Sequence, residues 1–487
     1  MSTAVELARD WVYSAIVHLT PRAANVVMFI LIGRMAGPSE AGVFALATTY
    51  LLIFIMFTRG MDDLVTRQVS RQPEQAASYL TSFSLFRLIL STLFYGILVV
   101  LVAGILNYPE STTTTILILT LCLIPDSLAY LALGTLLGIR RFAAPAIILV
   151  VITFLKLILA GVIFYLDDSL ISVAWVWVLG SLAGMLLMYI ATFRRVGWVS
   201  RGNWFNWRLI RSNWGTSWIF LLITVLITFE TQTDTILLSI FRSEAEVGWY
   251  NAATTIILSL ALIPQAFRMS VYPVMARLSV QSPAKLPVLY HRSLRYLGML
   301  VLPMVAGVFV LSPQIVNLVF GIKFLPTVTL VRILIPALIF FYLNVPSSRM
   351  ILVNDRQLSM LIFMIATAAL NVTLNLALDP RLGPTGAAIA RLSSSSLFFI
   401  LAYLYVKRYM VSANLLGLLA RPLLAALGMA GIVWLMRDLS LFISIPTGIA
   451  SYLGILWLMG GITTEDLALL RQAVTRNRNP SAPHHIG

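Results

Sequence analysis

Long apolar runs separated by short polar segments recur along the whole chain. Fourteen of these runs approach the roughly 20 residues that a helix needs to cross the hydrocarbon core of a bilayer. The runs cover residues 12–32, 42–60, 80–105, 114–138, 144–166, 170–193, 216–241, 248–269, 296–319, 327–350, 358–378, 386–405, 416–436 and 442–461. The pattern therefore predicts an all-α membrane protein with 14 transmembrane helices.

One short phrase occurs twice. EAGVFALATT (40–49) opens the second run and EVGWYNAATT (246–255) opens the eighth, with Glu, Gly, an aromatic residue, Ala, Thr and Thr in the same order. A weaker echo agrees, because Arg140 follows the fourth run as Asp355 follows the tenth. Each phrase thus stands second in a block of six helices. Since six is even, the two blocks cross the membrane in the same direction, as a parallel repeat about an axis normal to the bilayer.

The repeat predicts how the chain is divided. An N-terminal lobe of six helices covers residues 1–200, and a C-terminal lobe of six covers residues 201–411. Two extra helices follow within residues 412–462, and a cytoplasmic tail within 463–487. Parallel repeats of this kind place substrate sites between their halves.

Composition supports the membrane class, since 59% of residues are hydrophobic and only 11% are charged, against about 25% charged in soluble proteins. Most of the 34 Lys and Arg residues lie on one side of the predicted membrane, the side of the N-terminus. The positive-inside rule then predicts a multi-pass protein of the cytoplasmic membrane with both termini cytoplasmic. The net charge of +15 reflects this topology, and a nucleic-acid partner is not expected.

Sequence signatures of catalysis are absent. The chain has no G-x-x-x-x-G-K-[ST], H-E-x-x-H or G-x-S-x-G motif. Cys122 is the only cysteine, so neither an intrachain disulfide nor a cysteine metal site is expected. All predicted outer loops are short. We therefore expect a secondary transporter without cofactor or metal, rather than an enzyme.

Six of the cationic residues inside the predicted spans are candidates for lining a cavity, since a cation costs about 2.5–3.5 kcal/mol at a helix centre. They are Arg22, Arg87, Lys156, Arg268, Arg332 and Arg391. A cavity lined by them would suit an anionic group, and the planar fork of arginine matches phosphate. The alternative for four of them is that the side chain extends to a nearby membrane interface. Arg22 and Lys156 are too deep for this, and their alternative is a structural ion pair with Asp126 or Glu230.

Uncharged and acidic residues extend this polar interior. His18, Arg22 and Asn25 share one face of the first helix, which predicts that this face lines the cavity. Glu230 and Asp234 stand four residues apart in the seventh span. Two acids this close form a candidate proton or sodium site, with Asp126 as a third candidate acid. They could equally pair with Arg22 or Arg268 and hold the fold.

The eleventh span carries a second polar pair. Asn371 and Asn375 again stand four residues apart, so their amides share one face of the helix. They are candidates for the polar lining of the cavity. Hydrogen bonding between helices is the alternative.

Six segments carry a resemblance to a known family. They are IGRMAGPSEAGVFALA (32–47), RGMDDLVTRQVSR (59–71), DTILLSIFRSEAEVGWYNAA (234–253), YPVMARL (272–278), FGIKFLPTVTLVRIL (320–334) and NVTLNLALDPRLGPTGAAIA (371–390). In their order and spacing the chain resembles the Wzx-type oligosaccharide flippases of the multidrug/oligosaccharidyl-lipid/polysaccharide (MOP) exporter superfamily. The resemblance covers nearly the whole chain.

The resemblance implies two six-helix lobes in a MATE-like V, a central cationic cavity and alternating access. The implied cargo is a polyprenyl-diphosphate-linked oligosaccharide, moved from the cytoplasmic to the outer leaflet of the membrane. Arg22 and Arg268 would then meet the diphosphate. Coupling to H⁺ or Na⁺ is implied, and so are contacts with membrane lipids and with proteins of polysaccharide polymerisation and assembly.

Three alternatives stay open at this point. A multidrug or organic-ion exporter of the same fold would need an acidic or aromatic cavity, and six buried cations argue against it. A flippase for a lipid-linked peptidoglycan precursor is poorly separated by sequence from one for oligosaccharides. A scaffold for polysaccharide assembly that transports nothing would tolerate neutralisation of the cavity charges.

Overall fold

The structure, a computed structural model, describes residues 2–59, 62–167, 169–197, 225 and 228–461. Within these ranges it is helical and contains no strand. The helices are α1 (Ser2–Met35), α2 (Pro38–Arg59), α3 (Asp62–Arg71), α4 (Ala76–Val99), α5 (Glu110–Thr120), α6 (Leu123–Gly138), α7 (Ala143–Asp167), α8 (Leu170–Val196), α9 (228–241), α10 (Glu244–Leu260), α11 (Leu262–Gln281), α12 (Leu286–Phe320), α13 (Thr327–Leu334), α14 (Ala337–Val353), α15 (Gln357–Leu382), α16 (Pro384–Tyr409), α17 (Leu415–Leu435) and α18 (Leu441–Leu458).

Helices long enough to cross a membrane dominate the chain. Twelve in the described ranges have the required length and apolarity, and α10 with α11, bent by 41°, makes a thirteenth if the pair is one span. The chain is therefore an all-helical multi-pass membrane protein, as predicted. The predicted seventh span, 216–241, lies partly outside the described residues, and the tail 463–487 lies wholly outside them. The count of 14 helices stays a prediction.

Helix α7 shows how the sequence suits a membrane. Its exposed face is apolar and includes Ile147, Val151, Phe154 and Ile158, which recur at helical spacing. A large apolar face of this kind, left uncovered by protein, is the surface that lipid tails solvate. The opposite face of α7 is buried against its neighbours.

The helices cluster into two compact units. The first contains residues Met1–Thr255, Val319–Leu330 and Met364–Ser394, and the second contains Ile256–Leu318, Val331–Phe363 and Ser395–Gly487. In the first unit, α7 packs on α1 and α8, and α6 packs on α3, α4 and α8. In the second, α11 packs on α14 and α17 on α18. The predicted lobes 1–200 and 201–411 stay a prediction.

The repeat seen in the sequence has local counterparts in the structure. A single 3₁₀ turn that begins with proline, Pro73–Gln75 in one block and Pro283–Lys285 in the other, precedes the third predicted span. The fourth span is broken in each block, between α5 and α6 and between α13 and α14. Arg140 and Asp355, which follow these broken spans, both adopt φ of 58°. The next residue then bonds back to the helix, from Arg141 N to Leu136 O at 2.9 Å and from Arg356 N to Ile351 O at 3.2 Å, as in a Schellman cap.

The two copies of the repeated phrase contact each other in the first unit. A Cβ on Gly42 would overlap the carbonyl oxygen of Glu244, and a Cβ on Gly248 would overlap that of Pro38. The contact is reciprocal, because equivalent positions of the two copies exchange roles. Glycine at both positions lets the backbones of α2 and α10 approach more closely than any side chain would permit.

Candidate functional site

Lys156 lies on the protein-facing side of α7. Ile152, Ala160 and Phe164, one turn apart along the same face as Lys156, are buried. The apolar exposed face described above points the other way. The lysine is therefore directed into the first unit rather than towards lipid, which the cost of a charge in hydrocarbon requires.

A cavity of about 140 Å³ lies beside this lysine, between α1, α2, α6, α7 and α8. A cavity needs only about 10–15 Å³ to hold one water, so this one has room for several. Its wall is mixed in character, with Leu51, Leu52 and Ile152 among the apolar residues. The polar wall includes Asn25, Arg59, Asp126, Tyr130, Lys156 and Ser181.

Hydrogen-bond and aromatic partners position the Lys156 ammonium. Its Nζ donates to Ser181 Oγ at 2.8 Å and lies 5.5 Å from the ring centroid of Trp177. Within the described residues its ammonium is in no ion pair. Gly180 makes room for the lysine stem, since a Cβ there would lie 2.5 Å from its Cε. The result is a cation in a polar cavity that retains donor capacity for an anion.

The arginines next to this cavity are occupied by protein groups. The Arg59 guanidinium carbon lies 3.7 Å from the Tyr130 ring centroid, and its Nε is 3.1 Å from Asp62 Oδ2. Arg87 is only 1% exposed. It pairs with Asp62 Oδ1 and donates to the Ser127 carbonyl at 2.8 Å. The cavity lining does not include Arg87, so its predicted contact with substrate stays a prediction.

A second polar cluster in the first unit centres on Asp234. Its side chain is buried and accepts from Tyr250 Oη at 2.6 Å and from Asn375 Nδ2 at 3.0 Å. Arg391 Nε lies 2.8 Å from Asp234 Oδ2. The guanidinium also donates to the carbonyls of Glu230 at 2.9 Å and Thr231 at 2.8 Å. The cluster is therefore a buried ion pair within a network of hydrogen bonds.

One face of α15 adds buried oxygens without partners. Asn371, Asn375 and Asp379 recur every four residues and are buried. Neither carboxylate oxygen of Asp379 has a hydrogen-bond partner among the described residues, and the same holds for the Oδ1 atoms of Asn371 and Asn375. Leaving such groups unpaired costs about 1–3 kcal/mol each. A bound cation or proton would relieve that cost.

Side-chain hydrogen bonds also link α2 and α9 through the loop before α5, and they link α5 to α10. Tyr108 Oη lies 3.0 Å from Tyr50 Oη and 2.7 Å from Ser239 Oγ. Thr112 donates to Glu244. Tyr108 belongs to the loop between the third and fourth spans, and burial raises the pKa of its phenol. It therefore stays protonated and can serve as a hydrogen-bond donor.

The remaining candidate residues are dispersed. Arg332 lies in the second unit, where its Nε donates to Ser312 Oγ at 3.1 Å. Arg268 is exposed on α11 of the same unit, and Arg22 is exposed on α1 of the first. Arg22 lies close enough to Tyr130 to act on it electrostatically. His18 is on α1, but its side chain is outside the described residues.

Three residues of these polar clusters and of the buried cations were missed by reasoning from the sequence. Tyr250 belongs to the repeated phrase, but nothing in the pattern marks its hydroxyl as a partner of Asp234. Asp379 was available as the next member of the Asn371 and Asn375 series, four residues further along the same face. Arg349 lies near the end of the tenth predicted run, 327–350, and was not counted among the candidate cavity cations.

Known proteins resemble this chain in sequence and in fold. A family model described as "Polysaccharide biosynthesis protein" matches residues 31–329. No curated protein matches the sequence significantly.

The solved structures give the fold. A structure of the lipid II flippase MurJ in an inward closed conformation matches with a TM-score of 0.75 at 16% identity, over 92% of this chain and 98% of that one. An inward-facing multidrug resistance MATE transporter of the MOP superfamily matches with a TM-score of 0.64 at 15% identity, over 79% of this chain and 93% of that one. A MOP superfamily transporter from Pyrococcus furiosus matches with a TM-score of 0.55 at 14% identity, over 83% of this chain and 95% of that one. The chain therefore has the fold of these transporters.

Proposed function

Because the chain belongs to the polysaccharide biosynthesis protein family, we propose that it is a flippase for a polyprenyl-diphosphate-linked oligosaccharide. It moves the lipid-linked glycan from the cytoplasmic to the outer leaflet of the cytoplasmic membrane, with both termini in the cytoplasm. The two repeated blocks act as lobes that open to one side at a time. Polymerising and assembling proteins of the polysaccharide pathway are the expected partners.

The observation that carries this proposal is the lysine that lines the cavity of the first unit. Lys156 faces a cavity whose polar wall also contains Asn25 and Ser181. Among the described residues the ammonium is held by a hydroxyl and an aromatic ring and forms no ion pair, although Asp126 lines the same cavity, so it can receive an anion. The diphosphate is the one strongly anionic part of the proposed substrate, so we assign its recognition to Lys156 together with Arg22.

Lys156→Ala is expected to reduce flipping by at least tenfold, because a charge-assisted hydrogen bond contributes about 1.5–3 kcal/mol. Flipping is measured in proteoliposomes as the change in leaflet accessibility of a fluorescent polyprenyl-diphosphate oligosaccharide. Arg22→Ala is assayed beside it. Lys407→Ala, at an exposed position of α16, is the matched control and should flip as the native protein does.

Two outcomes would contradict the proposal in different ways. Native rates in both Lys156→Ala and Arg22→Ala would remove the role of these two cations in transport. Failure of the folded native protein to flip this lipid, together with a shift of drug susceptibility on expression, would favour a multidrug exporter.

Ion coupling is proposed at the Asp234 cluster. Asp234 already has Arg391 as its counterion, whereas the Asp379 carboxylate has no hydrogen-bond partner among the described residues, although Arg242 donates to the Asp379 carbonyl at 3.0 Å. Within the described ranges, the atoms left without partners on this face of α15 are four oxygens and the Asn371 amide nitrogen, and oxygen ligands suit a proton or a hard monovalent cation such as Na⁺. We therefore place the coupling ion at Asp379, with the Asn371 and Asn375 amide oxygens beside it. Glu230, Asp234 and Asp126 stay candidates from the sequence.

Asp379→Asn is expected to abolish the response of flipping to an imposed H⁺ or Na⁺ gradient, because it removes the charge that binds the ion while keeping the shape. The rate in proteoliposomes is compared with and without each gradient. Asp438→Asn is the control, since the Asp438 side chain is 91% exposed. A gradient response of the same size in Asp379→Asn and native protein would exclude Asp379 as the coupling group.

A peptidoglycan-precursor flippase is the second candidate. The likeness to MurJ over 92% of this chain favours it, because the relative is described as a lipid II flippase. The proteoliposome assay separates the two when lipid II replaces the oligosaccharide lipid. Faster flipping of lipid II would select this candidate.

A further inference from the structure

Two arginines of the second unit lie together, and neither forms an ion pair with an acid in the part of the chain that the structure describes. Arg349 stands near the end of α14, and Arg268 lies on α11, which packs against α14. The two guanidinium groups are close enough for their charges to repel, and no carboxylate of the described ranges acts on Arg349. Because like charges repel, such a pair is stable only where an anion or water compensates for it.

The Arg349 guanidinium is held in place on one side. Its central carbon lies 5.3 Å from the ring centroid of Tyr272, within the range of a cation–π contact. The ring belongs to α11, one turn beyond Arg268, so the same helix supplies the platform and the second cation. This contact orients the guanidinium but uses none of its N–H donors.

The donors of Arg349 are incompletely used. Its Nε is buried and has no hydrogen-bond partner among the described residues. A buried donor left unpaired costs about 1–3 kcal/mol of stability. An acceptor that binds at the Arg349 Nε would remove this cost. Arginine presents its Nε and terminal nitrogens as a planar fork that fits two oxygens of one phosphate.

We propose that Arg268 and Arg349 form an anion clamp that binds the diphosphate of the lipid-linked substrate at the cytoplasmic end of the second unit. The assignment rests on the proposed function, which places this end of α14 at the level of the cytoplasmic headgroups. The sequence pattern marks Arg268 as a candidate for the diphosphate but assigns no binding role to Arg349. The clamp would receive the diphosphate from the inner leaflet.

Binding of inorganic diphosphate to the purified full-length chain tests the clamp. Isothermal titration calorimetry in uncharged detergent at fixed salt is run on native protein, Arg349→Gln, Arg349→Lys and Arg268→Gln. Each Gln variant is expected to bind about tenfold more weakly or worse. The Lys variant should retain part of the affinity, because it keeps the charge and loses the fork. Arg356→Gln, an exposed arginine beyond the end of α14, should bind as the native protein does.

The outcomes separate the clamp from its alternatives. Equal affinity in all variants overturns the proposal, and so does loss of binding only in variants whose ligand-free unfolding temperature has fallen. Phosphatidylglycerol in mixed micelles that displaces diphosphate at equal or higher affinity assigns the site to bulk lipid and overturns the substrate assignment. If native protein flips its lipid but Arg349 does not affect diphosphate binding, only the clamp fails. If binding depends on Arg349 but native protein flips nothing, only the proposed function fails.

Discussion

Gly248→Ala should abolish flipping and lower the thermal unfolding temperature of the purified protein. The added methyl group would overlap the Pro38 carbonyl and would also meet the Gly42 amide nitrogen at 3.2 Å. Overpacking usually costs about 1–3 kcal/mol, and a rigid backbone obstacle leaves no rotamer change to relieve it. Alanine gains only about 1 kcal/mol over glycine in helix propensity. The clash therefore outweighs the gain, and α2 and α10 must separate.

The reciprocal contact supplies an internal check on this result. Gly42→Ala meets the Glu244 carbonyl in the same way, so the two variants should lose similar amounts of stability. Gly431→Ala is the matched control, because no atom lies within 4 Å of a Cβ built there in the interior of α17. It should unfold at or above the native temperature. Unfolding of Gly248→Ala at the native temperature would show that the helices separate without cost and would contradict the close crossing.

The sequence predicts the helices well because burial in lipid imposes one simple rule. Every backbone group in the bilayer must be paired internally, so a long apolar run can only be a helix. The repeated phrase predicts corresponding positions, and the two glycines within it do meet. The breaks between α5 and α6 and between α13 and α14 are harder to predict from the sequence. In the first of them, LTLCLIP (119–125), the proline is the only local signal of a bend.

The candidate site is less predictable, because its pairs are distant in sequence. Glu230 and Asp234 share a helical face, but among the described residues the ion pair is formed by the Asp234 side chain, and its partner Arg391 lies on α16. Periodicity describes which residues of one helix share a face, not which helices face each other. The structure directs Lys156 away from lipid, and its predicted role in substrate binding stays a prediction. Arg349 was missed because a predicted helix end is uncertain by a few residues.

Breaking the ion pair between Asp234 and Arg391 is expected to cost the protein about 3–5 kcal/mol of stability. The two single variants should differ, because the Asp234 side chain is 1% exposed and that of Arg391 is 20% exposed. Arg391→Gln leaves a carboxylate with no counterion and no access to water. In Asp234→Asn, the partly exposed Arg391 guanidinium still donates to the carbonyls of Glu230 and Thr231. Arg391→Gln should therefore be the more destabilised variant in thermal and denaturant unfolding.

The double variant Asp234→Asn/Arg391→Gln is expected to recover much of the loss, because no unpaired charge remains and both amides can still hydrogen-bond. The same cycle on Arg437 and Asp438 is the control. Their closest charged atoms are 4.0 Å apart, and their side chains are 56% and 91% exposed, so its coupling should be near zero. If the recovered double variant still flips lipid at the native rate, the pair only supports the fold. If it is folded but inactive, the pair takes part in transport. Additive losses in the two single variants would show that the charges do not interact, contrary to the buried pair.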